Sequence, residues 1–428
     1  MKFVAFTPKQ MKILKWWNDP AVSGKYSALI CDGAIRSGKT SIMMMSFIMW
    51  AMSSFNGYNF AVCGKTVQSA ERNVLAPFMS TQSMNERYSL TYTRSSKLLT
   101  ITAADGTTNR FYIFGGKDES SYTLIQGITL AGVFFDEVAL MPESFVNQAL
   151  ARCSVEGSRY WFNCNPENPH HWFHKEWIMK ALLKKALYLH FRMKDNPSLS
   201  AEKLAEYERM YSGVFRRRYI EGEWVAPEGL VYPMYEPEKH NVPPAALPKP
   251  EQCERIIISI DYGTQNPCVF SKWGEYRDVH YLLDEYYHSG RETHNQLTDD
   301  EYYTQLTKFA GKDKIDCIIV DPSAASFITL IRKKGRFTVR GADNSKLDGI
   351  RECSTALKQG IVMFNSDCKN SLDEFTKYRW DETLAAKGID EPKKEDDHFC
   401  DSFRYYVKTM RIAQGKFKRL GEAAAGRR

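Results

Sequence analysis

Gly33-Ala34-Ile35-Arg36-Ser37-Gly38-Lys39-Thr40 follows the apolar run Ala28 to Cys31 and leads into the methionine-dense run Thr40 to Ser53. The order is strand, glycine-rich turn, helix, and the stretch satisfies the pattern GxxxxGK[ST] in full. Phosphate chemistry needs that order. Gly33 and Gly38 let backbone close around a polyanion, while N–H groups at the helix start present positive potential to it. In this reading Lys39 reaches the β and γ phosphates and Thr40 places its hydroxyl on Mg²⁺, with Arg36 and Ser37 inside the loop. The bland alternative is an accidental glycine-rich turn.

The flanking sequence supplies partners. Val133-Phe134-Phe135 is an apolar strand closed by Asp136-Glu137. Carboxylates at a strand's C-terminal end lie where a parallel sheet presents its ligands. Asp136 is expected to hold Mg²⁺ and Glu137 to polarise an attacking water, which argues for hydrolysis rather than binding alone. Asn163-Cys164-Asn165-Pro166 ends a further strand; Asn163 either senses the γ-phosphate or begins a plain Asn-Pro turn. Gln10, in Phe6-Thr7-Pro8-Lys9-Gln10, either hydrogen-bonds an adenine edge or belongs to a helix start capped by Thr7 with Pro8 in its first turn. From residue 1 to about 200, strand-like runs (58–63, 88–93, 98–102, 107–114, 130–135, 159–163) alternate with helical ones, including 66–77. That is the rhythm of a parallel sheet covered by helices.

From about 196 to 250 the character changes to a polar helix (201–212), the cluster Arg216-Arg217-Arg218 and a proline-rich run, 242–250, that reads as a linker. A second α/β unit follows. Its apolar strands 256–260 and 316–320 both end on aspartates, Asp261 and Asp321. A hairpin is expected over 269–286, helices over 293–309, 324–333 and 348–358, a strand over 337–339 and a closing helix over 395–412. In that closing helix His398 and Asp401 share a face. Asp261, Asp321, His398 and Asp401 together are the makeup of a two-metal phosphodiesterase taking Mg²⁺ or Mn²⁺, with His398 as ligand or proton carrier. Taken singly, each is ordinary: aspartates cap many turns, and helix histidines are often partly buried polar residues. His170, His171 and His174 are flanked by Trp172, Phe173 and Trp177, which suggests packing rather than a zinc site.

Composition bounds these readings. A chain of 428 residues, 43% hydrophobic and 25% charged, is a folded multi-domain protein and not a disordered or fibrous one. The net charge of +7 is compatible with a polyanionic partner without proving one. The 10 cysteines form no CxxC pair, so reduced thiols in a cytosol are the simpler reading. The longest apolar segment, 42–52, falls well short of the ~20 residues of a membrane span, so no membrane is expected. The tail from Arg411 carries Lys416, Lys418, Arg419, Arg427 and Arg428 against Glu422, and either grips phosphate, docks on an acidic protein or is merely solvated.

With GAIRSGKT (33–40), VFFDE (133–137), NCNP (163–166), GEWV (222–225), SIDYG (259–263), IIVDP (318–322) and DHFCDSFRY (397–405) in this order, the chain resembles the large subunit of tailed-bacteriophage terminases, of the head-filling type. The resemblance implies an α/β fold: a P-loop NTPase (ASCE-type) parallel-sheet domain followed by a ribonuclease-H-like α/β nuclease domain. The corresponding boundaries are 1–195, a small helical subdomain and linker at 196–250, and a nuclease domain with basic tail at 251–428. It implies ATP with Mg²⁺ in the first site and two Mg²⁺ or Mn²⁺ ions in the second. It puts the family's loop arginine on Arg36, catalytic glutamate on Glu137, coupling motif on 163–166, nuclease carboxylates on Asp261, Asp321 and Asp401, and histidine on His398. Arg152 is a candidate arginine finger. The implied partners are double-stranded DNA, a small terminase subunit, the portal of a prohead and further copies of the chain, five in a ring. The implied place is the host bacterial cytoplasm, with transient portal docking and no expectation of it in the mature virion. A helicase sharing the nucleotide core, and a non-enzymatic head or portal protein with vestigial sites, are the alternatives.

Overall fold

A computed structural model of the protein describes residues 6–264, 266–291 and 293–413; the tail basic residues from Lys416 onward lie outside them. The chain folds into two compact units. One runs to Tyr207 and takes in Val214–Ala226 and Ala386–Ile389; the other comprises Glu208–Gly213, Pro227–Ala385 and the chain from Asp390 on.

The first unit is built on strands β1 (Ala28–Gly33), β2 (Asn59–Gly64), β3 (Tyr88–Thr93), β4 (Leu98–Ala103), β5 (Thr108–Gly115), β6 (Gly132–Phe135), β7 (Arg159–Asn163) and β8 (Ala186–Phe191), in the order β3-β4-β5-β2-β6-β7-β1-β8. From β5 to β8 all neighbours are parallel, while β3 and β4 add antiparallel at the other end. The central strands are apolar in their middles because both faces are covered, with polar Asp32 and Asn163 near the C-terminal ends of β1 and β7. Leu29, Val62, Phe134 and Trp161 enter a core shared with α1 (Pro8–Lys15) and α2 (Lys39–Ser54). Alternate residues Ile30, Ala61, Phe135 and Phe162 enter the opposite core with α3 (Glu143–Arg152), Phe173 and Trp177. His174 packs against the Trp224 ring at 4.8 Å and meets the Pro169 carbonyl at 2.9 Å.

In the second unit β9 (Asn241–Val242), β10 (Arg255–Asp261), β11 (Cys268–Tyr276), β12 (Val279–His288), β13 (Cys317–Val320), β14 (Val339–Gly341) and β15 (Val362–Asn365) form a mixed sheet ordered β14-β13-β10-β11-β12-β15-β9. One face packs Ile258, Ile260, Phe270, Ile318 and Val320 against α4 (Asp299–Ala310) and α5 (Ala325–Lys334). Further helices are α6 (Lys346–Lys358), α7 (Lys369–Lys377) and α8 (His398–Met410). On α8, Tyr406 stacks on Trp273 at 4.7 Å, and Ser402 bonds the Ser259 carbonyl at 3.0 Å and Ser271 at 2.6 Å. The seryl contacts let helix and sheet approach closely.

Several boundaries differ from the sequence expectation. The helix expected over 293–309 begins at Asp299, because Thr298 and Glu301 form a capping box there. The helix expected over 66–77 is interrupted by a wider π turn, Glu71–Leu75. Val242, the first residue of the run read as a linker, pairs with Asn365 as part of β9. Strands β8 and β15 and helices α3 and α7 were not anticipated. Among the described residues no helix is long and apolar enough to cross a membrane.

Candidate functional site

The parallel order β6-β7-β1 sets the C-terminal ends of three strands side by side, with Cys31 opposite Asn163 and Phe135 opposite Phe162. The glycine-rich 33–40 loop, the Asp136-Glu137 pair and Asn163 therefore meet at one sheet edge. They line a cavity of about 560 Å³ with Arg72, Asn73, Asn165 and Asn196. The loop's shape depends on left-handed backbone at Arg36 (φ 55°) and Gly38 (φ 83°). Asn196 braces it by donating to the Arg36 carbonyl at 2.6 Å.

Lys39 is 5% exposed and donates to the Gly33 and Ala34 carbonyls at 2.9 and 2.7 Å, to Ser37 Oγ at 3.2 Å and to Asn165 Oδ1 at 3.2 Å. Burial lowers its ammonium pKa to about 8. Thr40 Oγ1 lies 3.3 Å from Asp136 Oδ1, and Asn163 Nδ2 donates to both, at 2.8 and 2.5 Å. Asn163 Oδ1 is buried without a hydrogen-bond partner. A hydroxyl, a carboxylate and an orphaned amide oxygen are hard donors, so the residues present suit Mg²⁺. Glu137 adopts left-handed backbone (φ 57°) at the strand end, and burial with the Asp136 charge raises its carboxyl pKa against the pull of Arg72 and Lys39. A raised pKa is what a proton acceptor for water needs.

At the start of α1, Gln10 Oε1 accepts from Thr7 N–H at 3.0 Å and its own N–H donates to Thr7 Oγ1 at 3.2 Å, while its Nε2 lies beside the loop, 3.3 Å from where a Cβ on Gly38 would stand. Arg152 closes α3 and is absent from the lining, whereas Arg72, which no motif flagged, is present. Behind the loop, Asp32 is fully buried and joins His190 Nδ1 (3.0 Å) and Trp224 Nε1 (2.7 Å). The GEWV segment is thereby tied to the end of β1.

In the second unit, β10 and β13 are parallel neighbours with Ile260 opposite Val320, which brings Asp261 and Asp321 to the same sheet edge. Helix α8 crosses this edge. His398 Nδ1 lies 3.1 Å from Asp261 Oδ2, Asp401 Oδ1 accepts from Arg404 Nη2 at 3.0 Å, and Asp321 Oδ2 accepts from the Tyr405 hydroxyl at 2.5 Å. Asp321 Oδ1 also caps the following turn through Ser323 N–H at 2.8 Å. Burial pushes the Asp261 carboxyl up to about 6; the His398 bond opposes the rise and the Asp401 charge adds to it. Burial disfavours protonated His398, but the bond to and charge of Asp261 outweigh it, and its pKa is raised. Among the described residues no three His, Cys, Asp or Glu side chains stand where they could hold one ion together. Asp261 and Asp321 are nevertheless hard oxygen donors at neighbouring strand ends, the side-chain type that suits divalent cations, and the Asp401 charge reaches Asp261 from α8. Arg404 and Tyr405 lie within the quoted 397–405 motif; the Asp401–Arg404 pair has the i,i+3 spacing of one helix face, whereas the Tyr405 bond to Asp321 has no sequence signature.

A family model described as "Terminase large subunit, T4likevirus-type, N-terminal" matches residues 30–237. The large terminase of a thermophilic bacteriophage is 49% identical, over 95% of this chain and 99% of that one, with a TM-score of 0.87. The chain belongs to the large-terminase family of tailed bacteriophages. Structures of the same thermophilic-phage terminase in complex with ADP and with ATP-gamma-S are each 48% identical, with TM-scores of 0.84 and 0.83. The large terminase subunit of Escherichia phage T5 is 22% identical over 298 residues, a match spanning 66% of either terminase.

Proposed function

We propose that this terminase chain hydrolyses ATP in its first unit to drive double-stranded viral DNA into a prohead, and cuts the DNA concatemer in its second unit when packaging starts and ends. The observation that carries this is the near-full-length likeness to the thermophilic-phage terminase, one structure of which holds ATP-gamma-S. Residues 1–195 then form an ASCE-type P-loop ATPase domain, a reading supported by the extra strand β7 between β1 and β6. Residues 196–250, which divide between the two compact units, lead to a ribonuclease-H-like nuclease domain over 251–428.

In the ATPase site the loop N–H groups, Arg36 and Lys39 bind the phosphates, Lys39 exchanging its loop carbonyls for phosphate oxygens. Thr40 and Asp136 would hold Mg²⁺, Asn163 orients them, and Glu137 accepts the proton of the attacking water. In the nuclease site Asp261, Asp321 and Asp401 would hold Mg²⁺ or Mn²⁺, and His398 fixes Asp261 or carries a proton. Bound divalent cations supply charge neutralisation and a more acidic water. The chain works in the host cytoplasm as a ring of five on the portal, with DNA delivered by a small subunit.

The reading is tested by separating the two chemistries. Lys39→Ala is expected to abolish ATP turnover while metal-dependent cleavage survives, and Asp321→Ala to do the reverse. Cleavage lost with Lys39→Ala but kept in Asp321→Ala would refute it.

A further inference from the structure

Helix α8 carries His398 and Asp401, so its start sets where both stand. The first turn of a helix has N–H groups without intrahelical partners, and Asp397, the residue at the N-cap, makes no side-chain capping bond. The acceptor comes instead from α7. Glu374 Oε2 accepts from Phe399 N–H at 2.6 Å, and Glu374 Oε1 accepts from the Tyr287 hydroxyl at 2.8 Å. Glu374 is 4% exposed and sits where the Phe375 and Phe399 rings pack, 6.0 Å apart. Burying a carboxylate there is costly unless it is hydrogen-bonded, and a helix N-terminus is the surrounding that suits its charge.

We propose that Glu374 is a positioning residue for the carboxylate site: by capping α8 from outside, it fixes His398 against Asp261 and holds Asp401 at the same edge. This rests on the nuclease reading above. The residue touches no substrate. Its role needs an acceptor oxygen at Phe399 N–H more than a charge, so glutamine replaces it and an apolar side chain does not.

The test uses the full-length chain with Glu374→Ala, Glu374→Met, Glu374→Gln and, as a reference, Asp261→Asn. Glu374→Met keeps the volume without the acceptor and stands in where the alanine variant folds poorly. In metal-free protein, amide exchange over 398–402 is expected to quicken about tenfold in the alanine and methionine variants. Their Mn²⁺ affinity by calorimetry is expected to fall about tenfold or more, the scale for losing an outer support of metal ligands. Cleavage should lose kcat with KM for DNA unchanged, glutamine should stay within about threefold of wild type on every readout, and ATP turnover should be unaffected throughout. Wild-type exchange and Mn²⁺ affinity in folded Glu374→Met, or a glutamine variant as impaired as methionine, would overturn the proposal. If Asp261→Asn abolishes cleavage while every Glu374 variant cuts normally, the positioning role falls and the nuclease reading stands. If cleavage is indifferent to Asp261→Asn, that reading falls and so does a role defined by its site, whatever the exchange data say about the cap.

Discussion

His190 illustrates how a single side chain couples the back of the glycine-rich 33–40 loop to pH. Its hydrogen bond to fully buried Asp32 raises its pKa above the ordinary value of 6.5, outweighing the desolvation that lowers it. A group whose folded pKa is raised stabilises the fold fully below its unfolded pKa, and loses that contribution as pH climbs through the folded value. The window therefore opens near 6.5 and extends upward. Urea midpoints of wild type and His190→Gln are expected to differ most at pH 6 and to converge as pH rises beyond the window. A constant gap would mean that the imidazole stabilises by packing alone. The place of Lys39 at the start of the helix after the loop was legible from the motif; the bonds of Asp32 were not, because its partners come from strand β8 and the GEWV segment, far away along the chain.

Gly222, which opens the GEWV segment, acts at the level of elements. Its left-handed backbone (φ 81°) ends the π turn Arg217–Glu221, and a Cβ there would lie 2.7 Å from the Phe191 carbonyl oxygen and 2.8 Å from Ala34 N. Tyr219 O already accepts from Ile35 N–H at 3.1 Å. Gly222→Ala is thus both strained and sterically opposed, and is expected to destabilise the first unit by about 3 kcal/mol in urea unfolding, with weaker ATP binding. A loss below ~1 kcal/mol would show that the turn moves freely away from the loop. Strands buried on both faces were readable as apolar runs, which is why β1, β6, β10 and β13, and the aspartates that end β10 and β13, could be found in sequence. Strand β8 was not: Ala186–Phe191 continues the helix-like run before it, and only pairing with β1 decides its conformation. The π turn that brings Arg72 to the cavity also escapes periodicity, since one extra residue per turn shifts the face without changing composition.

For the molecule as a whole, a motor that must move any sequence can hold DNA only through features every sequence shares, namely phosphates and groove shape. Its net charge of +7 is too modest to bind by bulk attraction, so contacts must come from local clusters of Lys and Arg. Each phosphate neutralised releases condensed counterions, and the logarithm of affinity should fall linearly with the logarithm of salt, by about 0.9 per contact. Two duplexes of equal length and unrelated sequence are therefore expected to bind the full chain with dissociation constants within about threefold of each other, and with the same salt slope. Affinity by fluorescence anisotropy between 50 and about 200 mM salt checks both. The slope, not the affinity, is the discriminating quantity. Contacts to base edges would give one duplex a clear advantage that persists as salt rises, and a chain reading sequence in that way could not let a genome slide past it.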